Sequence, residues 1–169
     1  MLSLLFLVCA IAYDVLETVQ QQARFPYVIQ PCPGIDPDLL TTVLDVAAGL
    51  THQGYPVQIE PPGDVSLSTI CNKRHAEYGY TLTSRTRADI WISNTVLAYP
   101  TTLHNVVLHE VLHACGLGHS TQEGIMGSYA VSETWWGQVV EDTTRLWPSA
   151  DDLQGLQYLR WRATSDSPD

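Results

Sequence analysis

Four side chains suited to metal binding and proton transfer lie close together in this chain. Residues 109–120 read HEVLHACGLGHS, which fits the pattern H-E-x-x-H-x-x-G-x-x-H. Residues four apart share one face of a helix, so His109 and His113 present two imidazoles to the same point. Glu110 projects beside them. The spacing therefore predicts a metal site with its own base.

The third histidine of the pattern, His119, cannot belong to the same helix, because a position six residues beyond His113 lies too far along the axis. Gly116 is where the chain can turn, since glycine adopts the left-handed conformation that ends helices. Three neutral imidazoles on zinc leave a fourth position for water, as in catalytic sites. We expect one Zn²⁺ ion, with Glu110 taking the proton of its water.

Other segments agree with this pattern. Met126 lies in GIMGS, seven residues after His119, and Ser120 follows the third histidine directly. Residues 88–93 read ADIWIS and residues 148–159 read PSADDLQGLQYL. With these features the chain resembles the metzincin zinc metalloproteases, most closely the matrixin catalytic domain in a minimal form. The matrixin strand A-D-I-x-I and the last helix L-S-x-D-D-I-x-G-I-Q-x-L are similar to these two segments.

The resemblance implies a fold and an activity. The fold would be α+β, with a twisted, mainly parallel sheet, an active-site helix, a Met-turn at Met126 and a C-terminal helix. The activity would be that of a zinc endopeptidase that cleaves protein or peptide substrates, with Glu110 as the catalytic base. The alternative is a catalytically inactive zinc-binding homologue that serves as a binding or interaction module. Retention of Glu110 favours the enzyme, because metal binding alone needs only the histidines.

The resemblance also suggests roles for residues after Met126. In the family this region walls the substrate pocket, so Trp135 and Trp136 would line it, although they could equally cap the core. Tyr129 would donate a hydrogen bond to the reaction intermediate.

Matrixins carry a structural zinc and calcium ions in loops before the active-site helix. The connection from Asn94 to Glu110 is too short for those loops. We therefore expect no structural zinc and no calcium.

Length and charge set outer limits. The chain has 169 residues, 45% of them hydrophobic, which suits one domain with a real core. The net charge of −10 argues against nucleic acid as a partner, since phosphates would be repelled. We expect a monomer.

The N-terminus is apolar but too short to span a membrane, which takes about 20 residues. Residues 1–12 are typical of a secretory signal with a small-x-small cleavage site before Tyr13, which would make the protein secreted. The alternative is a short N-terminal helix over residues 2–20 that docks on the domain. Residues 13–163 would form the catalytic domain and residues 164–169 a disordered tail.

The cysteines favour one disulfide. Cys9 would leave with the signal, and Cys115 faces the side of its helix opposite the histidines, where it serves as a small buried hydrophobe. Cys32 and Cys71 remain as a pair. The bridge would join the start of the first helix to the central loop.

Periodicity and turn residues predict helices packed on one face of the sheet. The helices run from Asp36 or Asp38 to residue 53, from a cap at Thr101 or Thr102 through the histidines, and over 150–161. The strands cover residues 26–30, 57–60, 77–83 and 88–93, with an extended piece at 96–99.

Overall fold

A computed structural model describes residues 25–64, 66–74, 78–84, 87–120, 124–127 and 144–165, with side chains as far as Trp161. Its strands are β1 (Tyr27–Pro31), β2 (Val57–Ile59), β3 (Ser68–Lys73), β4 (Gly79–Thr83) and β5 (Ala88–Ser93). Its helices are α1 (Pro37–His52), α2 (Pro100–Ala114) and α3 (Ala150–Ser165). A 3-10 turn, Asn94–Val96, connects β5 towards α2.

The five strands form one sheet in the order β2-β1-β3-β5-β4. The pairs β1–β2, β1–β3 and β3–β5 are parallel, whereas β4 pairs antiparallel with β5 at the edge. Parallel strands need covered crossovers, and α1 supplies the one between β1 and β2. The prediction of an α+β domain with a mainly parallel sheet is confirmed at this level.

Helices α1 and α2 contact each other, and α2 also contacts β4 and β5. The apolar face of α1 packs into the core through Leu39, Val43, Val46, Ala47 and Leu50. Helix α2 is buried on all sides from Thr102 to Leu112. A helix that is buried all round lies in the middle of a core. Its polar side chains must therefore find partners inside the protein.

Four details of the predicted elements were wrong. β3 was missed, although it lies in the middle of the sheet. Residues 96–99 are not an extended piece: Val96 ends a 3-10 turn, and residues 97 and 98 form a further turn. The Ser93 side chain caps the 3-10 turn by accepting a hydrogen bond from the Thr95 amide. Helix α2 begins at Pro100 with Tyr99 as N-cap and no side-chain cap, not at Thr101 or Thr102. Proline is suited to this first position, since its missing amide hydrogen would have no helical partner there. Helix α3 continues to Ser165, beyond the end predicted at residue 161.

Other boundaries agree with expectation. Asp36 caps α1 by accepting hydrogen bonds from the amides of Asp38 and Leu39. Cys32 and Cys71 form a disulfide with their Cα atoms 5.1 Å apart, in agreement with the predicted pair. Cys71 lies in β3, however, and not in a loop.

The predictions for the N-terminal segment 1–12 fall outside the described residues. Within the ranges that are described, no helix combines the length and apolar character needed to cross a membrane. Cys115 is a free, buried thiol at the end of α2. Burial raises the pKa of this thiol to about 12, so it stays protonated near neutral pH.

Candidate metal centre

Helix α2 brings the first two histidines together. His109 and His113 are one helical turn apart, and their ring centroids are 4.5 Å apart at an interplanar angle of 89°. His109 is only 6% exposed, whereas His113 is partly exposed at the open side. The two imidazoles therefore form one wall of a small polar site at the C-terminal end of the helix.

The chain turns directly after α2, as the glycine predicts. Gly116 has φ of 109°, its amide donates to the His113 carbonyl, and the Leu117 amide donates to the Leu112 carbonyl. This pair of hydrogen bonds is the Schellman arrangement that ends helices with glycine in a left-handed conformation. The turn reverses the chain and brings His119 back towards the first two rings.

The three histidines converge on one point. Each offers a ring nitrogen, and these nitrogens all lie within 4.8 Å of one another. The Nε2 atoms of His113 and His119 are 3.1 Å apart. Two imidazole nitrogens on a tetrahedral zinc ion with bonds of about 2.1 Å are separated by about 3.4 Å. The three histidines therefore form a group that could hold a metal ion.

Backbone carbonyls hold two of the rings in the orientation that metal binding needs. Nδ1 of His109 lies 2.9 Å from the Ile125 carbonyl, and Nδ1 of His113 lies 2.7 Å from the Leu117 carbonyl. Because a carbonyl can only accept, each Nδ1 carries the hydrogen and each Nε2 keeps its lone pair. Such outer partners fix the tautomer of histidine ligands in metal sites.

The same two rings are neutral at physiological pH. Burial lowers the pKa of His109 to about 4, with a further lowering from the nearby His119. Burial lowers the pKa of His113 to about 3, and the neighbouring His109 and His119 add to it. A neutral imidazole is the form that binds a metal, so no proton has to be removed from these ligands near pH 7.

Met126 is fully buried in a turn that supports the centre. The Gly127 amide donates to the Gly124 carbonyl, and the Ser120 amide donates to the Met126 carbonyl. The turn therefore connects to the residue after His119 and presents the Ile125 carbonyl to His109. This is the position predicted for the Met-turn. The contacts of this turn to Ser120 and His109 are made by backbone carbonyls.

Helix α3 braces this turn. Ser149 and Asp152 form a capping box: the Asp152 carboxylate accepts from the Ser149 amide at 2.7 Å, and the Ser149 hydroxyl accepts from the Asp152 amide at 3.2 Å. The Ser120 hydroxyl donates to the Asp151 carboxylate at 2.9 Å. The start of α3 is thus tied to the segment that carries His119.

Glu110, the residue after His109, is only 5% exposed, and its carboxylate contacts β4. The Thr81 hydroxyl lies 2.7 Å from Oε2 of Glu110, and an added Cβ on Gly79 would come within 2.9 Å of Cγ of Glu110. Neither Thr81 nor Gly79 was predicted from the sequence. Their only signal is the alternation of small and large residues in GYTLT, which places both on one face of β4.

Some predicted site residues cannot be placed. Tyr129, Trp135 and Trp136 lie outside the described residues.

Trp147, which is described, packs over Gly49 of α1, where an added Cβ would lie within contact distance of its ring. It is therefore part of the cover over α1.

Comparison with known proteins gives a structural likeness. No protein-family model matches the chain, and no curated protein matches it. A chain from the GM1-bound form of the ECX AB5 holotoxin is similar in structure, with a TM-score of 0.54 and 13% sequence identity over 79% of each chain. At this identity the likeness shows a shared fold.

These findings correct the family assignment made from the sequence. The similar structure just described is a chain of a toxin assembly, and no family model and no curated protein supports the assignment. The matrixin resemblance therefore does not stand as a statement of family. Two predicted functions depended on this assignment, a matrixin-type endopeptidase and an inactive metzincin homologue. Both predictions are wrong for the same reason.

Proposed function

We propose that this protein is a zinc-dependent hydrolase whose centre is formed by His109, His113 and His119. The observation that carries the proposal is the convergence of the three ring nitrogens within 4.8 Å of one another. Nδ1 of two of the rings is hydrogen-bonded to a carbonyl. Such bonds are typical of metal ligands, because they orient the ring and fix its tautomer.

Three histidine ligands favour catalysis over a structural role. Structural zinc sites use four protein ligands, whereas catalytic sites use three and leave a position for water. When bound, zinc lowers the pKa of this water towards about 7 and polarises the bond that is attacked.

Glu110 is the residue of this chain suited to move the proton. It directly follows His109 on α2, and it is a buried carboxylate held by a hydroxyl on β4. A carboxylate in this position accepts the proton of the attacking water and returns it to the leaving group.

We further propose that the protein works outside the cytosol. Disulfides persist in oxidising compartments, and Cys32 and Cys71 form one here. Secretion by way of the apolar N-terminal segment is compatible with this.

The experiment is a comparison of the full chain with its Glu110→Gln variant. Zinc content is measured by elemental analysis, and hydrolysis is measured on an activated ester and on a labelled unfolded protein, so that both ester and amide bonds are tested. We expect about one zinc per chain in both proteins. We expect the variant to lose hydrolysis by about 100-fold or more, the loss typical of removing a general base.

Glu60→Gln is the matched control, because Glu60 is an exposed carboxylate just after β2. It should leave both zinc content and hydrolysis unchanged. Zinc-loaded wild-type protein without activity on either substrate would overturn the hydrolase. Full activity of the Glu110→Gln variant would overturn the role of Glu110.

A further inference from the structure

The edge strand β4 faces helix α2 with its smallest side chains. Its register pairs Thr81 with Ile90 and Tyr80 with Trp91 of β5. Side chains alternate between faces along a strand, so Thr81 and Gly79 point to the same side as the buried Ile90. This is the side on which α2 packs. Tyr80 and Trp91 stack with each other on the opposite face, with centroids 6.4 Å apart.

Thr81 makes two contacts with the same residue of α2. Its Oγ1 lies 2.7 Å from Oε2 of Glu110 and 3.1 Å from the Glu110 carbonyl oxygen. A hydroxyl has one hydrogen, and the shorter contact goes to the carboxylate, which is the stronger acceptor. Thr81 therefore holds one carboxylate oxygen of Glu110.

Gly79 limits the position of Glu110 from the same strand. A Cβ at residue 79 would lie 2.9 Å from Cγ and 3.1 Å from Oε1 of Glu110, and 2.8 Å from Cγ1 of Val106. The glycine is thus required for the close approach of β4 to α2. The backbone of Gly79 and the hydroxyl of Thr81 together leave little space for other side-chain rotamers of Glu110.

We propose that Thr81 is a positioning residue that orients the Glu110 carboxylate for proton transfer. This inference rests on the proposed hydrolase function. A glutamate side chain has several rotamers, and fixing one of them in advance avoids an entropy cost at the moment of reaction. Threonine suits the task because its branched Cβ leaves χ1 little freedom in a strand.

The test compares Thr81→Val, which keeps the shape and removes the hydroxyl, with Thr81→Ser, which keeps the hydroxyl. Misplacement of a catalytic group by about 1 Å costs up to about 100-fold in rate. We expect Thr81→Val to lower kcat on the activated ester by about 10-fold to 100-fold with KM and zinc content unchanged. We expect Thr81→Ser to stay within about 3-fold of wild type.

Thr83→Val is the matched control, since Thr83 lies two residues further along the same face of β4. It should leave kcat unchanged. Thr81→Val should also cost nothing further when it is combined with Glu110→Ala, because a positioning residue acts only through its partner. This non-additivity distinguishes positioning from a general loss of stability.

Two outcomes would overturn the inference and leave the hydrolase intact. One is a zinc-loaded Thr81→Val protein with wild-type kcat. The other is an equal loss of kcat in Thr81→Val and Thr81→Ser, which would assign the effect to packing and not to the hydroxyl. Wild-type protein that binds zinc without hydrolysis would instead contradict the proposed function itself.

Discussion

At the scale of single residues, two backbone carbonyls decide which nitrogen of each histidine faces the centre. The carbonyls of Ile125 and Leu117 accept from Nδ1 of His109 and His113. His119 is exposed and completes the trio from the turn after α2. Two rings are thus fixed in advance, and the third is brought to them by Gly116.

We predict that His119→Ala lowers zinc affinity by more than about 100-fold, since losing even an outer-shell partner of a ligand costs about 10-fold to 100-fold. Affinity is measured by competition with a chromogenic chelator. His52→Ala is the control, because His52 is an exposed histidine at the end of α1. Wild-type affinity in the His119 variant would show that zinc does not use this side chain.

The residues that could be predicted are those whose spacing is local. His109, Glu110, His113 and His119 lie in one helix and the turn after it, so a helical repeat and one glycine suffice to bring them together. Thr81 is 29 residues from Glu110 in the sequence. Its role depends on how β4 packs on α2, and no local pattern records that packing.

A third histidine of α2, His104, makes the stability of the protein depend on pH. His104 is fully buried, Nε2 lies 3.1 Å from the Leu146 carbonyl, and Nδ1 has no hydrogen-bond partner among the described residues. Its pKa is lowered from 6.5, mainly by burial and also by Arg145, while Asp45 at 3.5 Å opposes the shift. The unfolded chain therefore binds this proton more readily than the folded one.

The stability that His104 contributes is thus complete above its unfolded pKa of about 6.5 and is lost as the pH falls below that value. We expect the free energy of unfolding to fall between about pH 7.5 and about pH 5, and to fall less in a His104→Gln variant. Urea titrations at both pH values measure this. His109 and His113 shift in the same direction in both proteins, so the difference between the two proteins isolates His104. If the free energy of unfolding falls equally in wild type and in His104→Gln, His104 is not a source of the pH dependence.

At the scale of elements, helix α3 supports the centre through its capping box, and a substitution in this box tests that support directly. Asp152 is 1% exposed and accepts from both the amide and the hydroxyl of Ser149. Its Oδ2 would lie 2.9 Å from a Cβ on Gly124, so it also packs against the turn that carries Ile125.

We predict that Asp152→Ala destabilises the protein by about 2 kcal/mol, because it breaks the capping box of α3 and removes the partner of the partly buried Ser149 amide. Gln154→Ala on the exposed side of the same helix is the control and should change stability by less than about 0.5 kcal/mol. Both are measured by urea unfolding. If Asp152→Ala lowers the free energy of unfolding by no more than the control does, the capping box does not contribute to stability.

The elements themselves were predicted where their periodicity is strong. The amphipathic repeat and the Asp36 cap of α1 identify that helix, and ADIWIS alternates clearly as β5. β3 reads STICNK, which has one large aliphatic residue and four polar ones, so it was mistaken for a loop. Its place between β1 and β5 comes from non-local parallel pairing, which leaves little trace in a short segment.

At the scale of the whole molecule, the centre depends on parts that are far apart in the sequence. Helix α2 supplies His109 and His113, the 124–127 turn supplies a carbonyl, and β4 supplies the contact to Glu110. The sheet places β4 at the edge beside α2, and β3 links β5 to the β1 side of the sheet. A loss of order in the middle of the sheet is therefore expected to disturb the position of β4 and its contact with Glu110.

The disulfide is a covalent cross-link in the middle of the sheet. It joins Cys32, directly after β1, to Cys71 in the neighbouring strand β3, with a sequence separation of 39. A cross-link of this length removes about 4 kcal/mol of conformational entropy from the unfolded chain. We therefore predict that the double variant Cys32→Ser with Cys71→Ser is less stable than oxidised wild type by about 3 to 4 kcal/mol, measured by urea unfolding.

Reduction provides the control for that prediction. A reductant should lower the stability of wild type to that of the double variant and leave the double variant unchanged. Cys115 is a free, buried thiol in both proteins, so it contributes no difference. A thiol count shows whether the reductant has broken the disulfide. If the bond is broken and the stability of wild type does not change, packing of β1 against β3 holds the sheet without the cross-link.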